Sequence, residues 1–120
     1  MEPINLVVYQ KDPRTAQSLV VCLSQHFGSV KLANRFEEVR LAVVRNHANV
    51  LVLDMEEARP DEIGRLHHEF PSLCIVGTHR LADDQLWADA LNQGAADLCE
   101  PRNDLVVRSV LHETAHHAAA

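Results

Sequence analysis

Five short apolar segments alternate with five segments of helical periodicity, and this alternation constrains the fold more than any other feature of the sequence. The apolar segments have the length and the β-branched content of buried strands. They occupy residues 4–9, 29–33, 49–54, 73–78 and 96–99. Apolar residues recur at helical spacing in the segments 14–28, 36–47, 60–70, 82–93 and 103–117. The alternation is typical of right-handed βαβ units and predicts a parallel sheet with helices on both faces.

The polarity of the individual strands predicts their order in the sheet. The first and third strands are almost wholly apolar, as central strands of a parallel sheet are, whereas the second is half polar and suits an edge. We therefore expect an α/β fold: a flavodoxin-like, doubly wound, five-stranded parallel sheet of order 2-1-3-4-5 with five helices. The length of 120 residues suits a single domain spanning 1–120. Gly28 and Gly94 are expected to follow the ends of the first and fourth helices.

Composition excludes some classes of function. With 11 Lys and Arg against 17 Asp and Glu, the chain has a formal net charge of −6, which argues against a nucleic-acid-binding surface. The three cysteines are odd in number and lie in apolar contexts, as free thiols in a reducing cytoplasm do. The apolar runs are too short to cross a bilayer, and no signal peptide follows Met1. We therefore expect a cytoplasmic protein without a membrane partner.

Polar residues follow the strands where a doubly wound sheet forms its ligand crevice, at the carboxyl ends of the strands. The residues predicted there are Gln10, Lys11, Asp12, Asp54, Glu56, Glu57, Thr78 and Glu100. Strand ends of α/β domains are also commonly polar and solvated, so position alone leaves a functional crevice and a solvated edge as equal alternatives.

Four motifs stand at the strand ends: "LVVYQKDP", "VLVLDME", "IVGT" and "GAADLCEP". With them, the chain resembles the receiver domain of bacterial response regulators over essentially its whole length. The resemblance implies that Asp54 is the phosphoacceptor for a histidine kinase and that Thr78 is the switch hydroxyl. It also implies two acids after the first strand that hold Mg²⁺, and a lysine before Pro101.

Three positions depart from that pattern in chemical type. Gln10 and Lys11 occupy the positions of the acid pair, and Glu100 that of the lysine. Phosphorylation brings an anionic phosphoryl group to a carboxylate, so it depends on neutralising charge, and Mg²⁺ prefers carboxylate ligands. We therefore expect weak Mg²⁺ binding, no firm metal or other cofactor site, and impaired phosphorylation, with Asp12 and Glu56 as possible rescue acids for a metal.

The opposite changes of charge at Lys11 and Glu100 suggest a permanent ion cluster in which Lys11 bridges Asp54 and Glu100. The resemblance also implies an aromatic side chain at the position of Asp97, and a cis bond before Pro101. Trp87 and Leu91, one helical turn apart, are expected in the core.

The predicted function is therefore that of a degenerate receiver, a signalling module that acts by protein–protein interaction and is not an enzyme. The resemblance implies a histidine kinase or an output domain as partner, and a homodimer through the face of the fourth helix, fifth strand and fifth helix. The alternative is a functional receiver that accepts a phosphoryl group on Asp54 through a rearranged metal site.

Two other functions have less support in the sequence. "HETAH", residues 112–116, matches the H-E-x-x-H motif of zinc proteases, but no third ligand follows it in this sequence. We expect adventitious metal binding by His112, His116 and His117 instead. A small-molecule-binding flavodoxin-like module would have a Gly-rich phosphate loop after the first strand, where "YQKDPR" stands instead.

Overall fold

Five parallel strands form one sheet in the order β2-β1-β3-β4-β5, as the sequence predicts. The structure, a computed structural model, describes residues 3–119, and the side chains of residues 60 and 116–119 lie outside its described part. The strands are β1 (Asn5–Tyr9), β2 (Ser29–Leu32), β3 (Val50–Asp54), β4 (Cys74–Thr78) and β5 (Asp97–Cys99). The helices are α1 (Pro13–Ser24), α2 (Val39–Arg45), α3 (Pro60–Glu69), α4 (Asp84–Gln93) and α5 (Asn103–Ala119). A short 3₁₀ turn at Phe36–Glu38 precedes α2.

The alternation of side chains along the strands divides the core into two layers. Leu51 and Leu53 of β3 belong to the layer beneath α2, α3 and α4. Val50 and Val52 point the other way, into the layer beneath α1 and α5. All four side chains are fully buried, so both faces of the central strand are covered by helices. This arrangement leaves the carboxyl end of the sheet as the open edge.

The two glycines that are predicted to follow helices have different roles in the structure. Gly94 follows α4 with φ 114°, the left-handed conformation of a C′ glycine, as predicted. The prediction for Gly28 is wrong, because α1 ends at Ser24. Gly28 has a steric role instead: a Cβ there would lie 2.7 Å from the Cβ of Pro3.

The expected burial of Trp87 is also wrong, since 45% of its surface is exposed. Leu91, one turn further along α4, is partly buried.

The expected cis bond before Pro101 is absent, because no cis peptide bond occurs among residues 3–119. Over the same part of the chain, no helix is both long and apolar enough to cross a membrane.

Candidate functional site

A cleft of about 620 Å³ lies at the carboxyl ends of β1 and β3. It is lined by Gln10, Lys11, Asp12, Pro13, Thr15, Asp54, Glu56, Glu57, Arg80 and Pro101. Thr78, which is 1% exposed, lies below this surface and is not part of the lining. Glu100 is exposed and is not part of it either. The predicted crevice residues of the first and third strands therefore come together, whereas those of the fourth and fifth do not line the cleft.

Asp54 is the last residue of β3, and its carboxylate is fixed by two backbone amides. Its Oδ2 accepts a hydrogen bond of 3.0 Å from the N–H of Lys11, and its Oδ1 one of 2.9 Å from the N–H of Glu56. The residue is 7% exposed. Backbone donors compensate for part of the desolvation of a buried carboxylate, so Asp54 is held in one orientation towards the cleft.

Gln10 and Thr78 are joined by a buried hydrogen bond. The Gln10 Nε2 donates to the Thr78 Oγ1 over 2.7 Å, and both side chains are almost fully buried. The register of β3 and β4 places Thr78 opposite Asp54, so the amide of Gln10 lies over the hydroxyl beside the carboxylate. The Nε2 of Gln10 is thus directed to a neighbouring side chain.

The predicted bridge from Lys11 to Asp54 and Glu100 is wrong. The ammonium of Lys11 pairs with Glu57, Nζ to Oε1 over 2.8 Å, and no ion pair within 4.0 Å joins it to either predicted partner. The Lys11 side chain is 74% exposed, and the hydrogen bond that it donates to Glu57 raises its pKa. The long flexible stem of a lysine allows it to lie along the cleft wall and remain in solvent. Position 11 therefore contributes a solvated ion pair at the mouth of the cleft.

Arg80, which sequence reasoning missed, forms the other wall of the cleft with Glu56. Its Nε lies 2.9 Å from one carboxylate oxygen of Glu56, and its Nη2 lies 2.8 Å from the same oxygen. The Arg80 N–H also donates to Glu56, over 3.3 Å. The hydrogen bonds from Arg80 lower the pKa of Glu56. A basic residue two positions after a strand end, facing "MEE" across the parallel pair, is the signal that could have identified this contact.

Asp12, the other possible rescue acid, caps a helix. Its Oδ2 accepts from the N–H of Thr15 over 3.2 Å and from the Thr15 hydroxyl over 2.6 Å. These bonds lower the pKa of Asp12. The contact satisfies a free amide at the start of α1, as an N-cap aspartate does. One carboxylate oxygen of Asp12 is therefore engaged in capping α1.

The donor set of the cleft does not suit Mg²⁺. Four carboxylates line it, but Asp12 caps α1, Glu56 is held by Arg80, and Glu57 by Lys11. The residues described here hold no group of three His, Cys, Asp or Glu side chains arranged for a metal ion. Mg²⁺ needs several oxygen ligands in near-octahedral geometry.

The cleft is acidic in balance, with four carboxylates against the cations of Lys11 and Arg80. The pKa of Tyr9 is sensitive to this charge. Tyr9 is the last residue of β1 and makes an edge-to-face contact with Phe36. Burial raises the pKa of Tyr9, and the carboxylates of Glu57 and Asp54 raise it further. An incoming anion would meet this negative charge without a metal to neutralise it.

Asp97 links α4 and α5 across β5, at the position where the resemblance implies an aromatic ring. The Trp87 Nε1 donates to its Oδ1 over 3.1 Å, and the Ser109 hydroxyl donates to its Oδ2 over 2.5 Å. Ser109 is buried, with 6% of its surface exposed. The carboxylate of Asp97 is thus held by two side-chain donors at a position where the resemblance implies an aromatic ring.

The histidines of the H-E-x-x-H match do not form a described metal site. His112 is exposed, and the side chains of His116 and His117 lie outside the described residues. The proposal of adventitious metal binding by these three histidines is therefore not tested.

Comparison with solved structures identifies the same fold in response regulators. The signal receiver domain of an HD domain-containing protein from Pseudomonas fluorescens is similar to this chain, with a TM-score of 0.85, 14% identity, and coverage of 99% of this chain and 100% of that one. A response regulator from Thermotoga maritima has a TM-score of 0.82 and 20% identity, over 92% and 97% of the two chains. The beryllofluoride-activated NtrC4 receiver domain dimer has a TM-score of 0.82 and 14% identity, over 94% and 98%.

The sequence itself gives no match to any protein-family model or to any curated protein. At 14–20% identity, the similarity to solved structures establishes the fold. A fold can host unrelated functions, so the function must be argued from the residues of the cleft.

Proposed function

We propose that residues 1–120 are one degenerate receiver module of a bacterial response regulator, which acts by protein–protein contact. Mg²⁺-dependent phosphorylation of Asp54 is impaired in this module, which has no metabolic activity of its own and works in the cytoplasm. The fold that it shares with receiver domains supports the class of module. The chemistry of the cleft supports the impairment.

The observation that carries this proposal is the hydrogen bond from Gln10 to Thr78. In a receiver, the position of Gln10 is expected to supply a metal-binding acid, and the hydroxyl of Thr78 is expected to contact the phosphoryl group. Here a neutral amide occupies that position, and it binds the hydroxyl directly over 2.7 Å. This position therefore lacks the anionic ligand that Mg²⁺ prefers, and its amide is hydrogen-bonded to the switch hydroxyl.

Charge in the cleft also opposes phosphoryl transfer. Catalysis of this step consists mainly of positioning and of neutralising the charge of the phosphoryl oxygens. The two cations of the cleft are paired with Glu57 and Glu56, so their charges are already balanced. Glu100 adds an acid where a lysine is expected, although it lies outside the cleft lining.

The alternative, a functional receiver, is favoured by the placement of Asp54 alone. Its carboxylate is oriented by two backbone amides at the cleft and carries no ion pair within 4.0 Å among the described residues. For phosphorylation to proceed through a metal, Asp12 or Glu56 would have to supply a ligand, although each already accepts hydrogen bonds, from Thr15 and from Arg80.

Intact-mass measurement distinguishes the two. The protein is incubated with a small phosphodonor and Mg²⁺, beside the variant Asp54→Asn as the control for modification at other sites. We expect no phosphoryl mass increment in either protein. An increment in the unaltered protein that is absent from the Asp54→Asn variant would establish the functional receiver and overturn the proposal.

The proposed partners are proteins, either a histidine kinase, an output domain or a second copy of the chain. The contact surface that we propose is the face formed by α4, β5 and α5, where Asp97 joins the two helices through Trp87 and Ser109. The net charge of −6 disfavours nucleic acid as a partner of this module.

A further inference from the structure

Trp87 is a half-exposed aromatic side chain that the structure holds in one orientation. Its indole N–H is bound to Asp97, and Asp97 is bound in turn by the buried Ser109 of α5. A side chain that is already ordered loses little conformational entropy when a partner covers it. Tryptophan is also among the residues that most often dominate the binding energy of protein interfaces. Trp87 therefore has the properties of a preorganised anchor.

The part of the chain that carries this anchor is acidic. Residues 79–120 contain seven Asp and Glu against three Arg and no Lys, so four of the six net negative charges lie in this third of the chain. Helix α4 itself has no Lys or Arg. Asp84 and Leu91 lie on the same side of α4 as Trp87, because they are three residues before it and four after it. Arg108 is the one Lys or Arg side chain within the described part of α5.

We infer that this Trp87 surface, defined by Asp84, Trp87, Leu91 and Asp97, docks a cationic, apolar segment of a partner protein. The inference rests on the proposed function and names the chemistry of its partner. Apolar side chains of the partner cover the indole, and its Lys or Arg side chains meet the carboxylates around it. Complementary charge steers such an encounter and selects the partner.

The same charges disfavour a second copy of this chain on the Trp87 surface. A two-fold contact brings the same patch of each copy together, so Asp84 and Asp97 of one copy would face acids of the other. Like charges across an interface are costly and suppress that pairing. Of the partners proposed for the face of α4, β5 and α5, a basic segment of another protein is therefore the one that the surface favours.

Trp87 supplies the measurement, because it is the only tryptophan in the chain. The probe is a helical peptide of leucine and lysine repeats, and the control probe has glutamate in place of each lysine. We expect the lysine peptide to shift Trp87 emission to shorter wavelength in a saturable way that weakens with salt. The glutamate peptide should leave the emission unchanged.

Matched variants separate the docking surface from general attraction to an acidic protein. Asp84→Lys and Asp61→Lys change the net charge equally, but Asp61 lies on α3, where it pairs with Arg65 over 3.7 Å. We expect Asp84→Lys to weaken binding of the lysine peptide about tenfold and Asp61→Lys less than about twofold. Trp87→Ala, followed by calorimetry, should weaken binding about thirtyfold.

Three results would overturn the inference: no binding of the lysine peptide, equal binding of both peptides, or equal losses from the Asp84 and Asp61 variants. A concentration-dependent dimer that Trp87→Ala abolishes would assign the surface to a second copy and would overturn it as well. These readouts do not depend on phosphorylation. Their failure therefore leaves the proposal for the cleft standing, and a phosphorylated Asp54 would leave the docking result unchanged.

Discussion

The Gln10 amide donates a 2.7 Å hydrogen bond to the Thr78 hydroxyl, and the two side chains bury each other at the carboxyl end of the sheet. The bond joins residues 68 positions apart in the chain and ties β1 to β4 across β3. The bond therefore contributes both to the stability of the sheet and to the arrangement of side chains in the cleft, and both can be measured.

The first prediction concerns the stability that this bond provides. Thr78→Val keeps the shape of the side chain and leaves the buried Nε2 of Gln10 without its acceptor. We expect the free energy of unfolding to fall by about 1–3 kcal/mol, the cost of a buried polar group that loses its partner. Urea denaturation measures it, with Thr78→Ser as the control that retains the hydroxyl.

The double variant tests whether the two residues act as a pair. Adding Gln10→Met to Thr78→Val removes the unpaired amide, so the loss should be smaller than the sum of the two single losses. Strictly additive losses would show that the hydrogen bond contributes no coupling energy.

The second prediction is a pH dependence of the Glu56–Arg80 pair. Hydrogen bonds from Arg80 lower the pKa of Glu56 below its ordinary value of 4.5. A lowered pKa in the folded state adds stability above pH 4.5, and this stability is lost as the pH falls through the folded-state pKa. We expect Glu56→Gln to reduce the free energy of unfolding at neutral pH, and the difference from the unaltered protein to shrink in acid.

Denaturation series at neutral and acidic pH measure this difference. Glu38→Gln is the matched control, because Glu38 is an exposed glutamate for which no ion pair within 4.0 Å is found in the described residues. A difference for Glu56→Gln that stays constant over the whole pH range would contradict the assigned role of Arg80.

The third prediction concerns the link between α4 and α5. Asp97→Ala removes the acceptor of the buried Ser109 hydroxyl and frees the indole of Trp87. We expect a loss of about 1–3 kcal/mol in the free energy of unfolding. Trp87 emission should move to longer wavelength and become easier to quench with acrylamide. Asp89→Ala, on the same helix, should leave the emission unchanged, and an equal effect of both variants would count against the link.

The fourth prediction concerns thiol reactivity. Burial raises the pKa of Cys74 and of Cys99 to about 12, from an ordinary value of 9.0. Because the thiolate is the reactive form, both thiols should react slowly with a disulfide reagent in the folded protein at mildly alkaline pH and rapidly in urea. The raised pKa also means that stability falls as the pH rises from 9 towards 12, since the unfolded thiols ionise first.

Counting the reacting thiols in Cys74→Ala and Cys99→Ala variants assigns the slow reactions. Rapid labelling of either cysteine in the native protein would contradict its raised pKa.

The strand order of the sheet could be predicted from sequence because the polarity of a strand depends on whether it lies at the centre or at the edge of the sheet. The half-polar β2 lies at an edge, and the apolar β1 and β3 are central, as their composition indicates. Gly94 could also be predicted from the local sequence, since the left-handed conformation at a C′ position favours glycine whatever lies around it.

The contacts of the cleft could not be predicted because they depend on the paths of loops and on competition between partners. Lys11 has Asp54 and Glu57 within reach, and nothing local in the sequence says that its flexible stem selects Glu57. The Trp87–Asp97–Ser109 link needs three positions brought together by the packing of two helices on β5. The spacing of Trp87 and Leu91 predicts a core position for Trp87, because helical periodicity does not distinguish a buried stripe of side chains from a half-exposed one.

The central claim is that the charged side chains around Asp54 are already paired with neighbouring residues and that the cleft does not bind Mg²⁺. An Mg²⁺ titration followed by the amide NMR signals of Lys11 and Glu56, the two donors to Asp54, tests it most directly. The reference is the variant Gln10→Asp, Lys11→Asp, Glu100→Lys, which restores the expected receiver pattern. We predict that both signals stay unshifted at millimolar Mg²⁺ in the unaltered protein and move saturably in the variant. A saturable shift of both signals in the unaltered protein, as large as that in the variant, would contradict the claim.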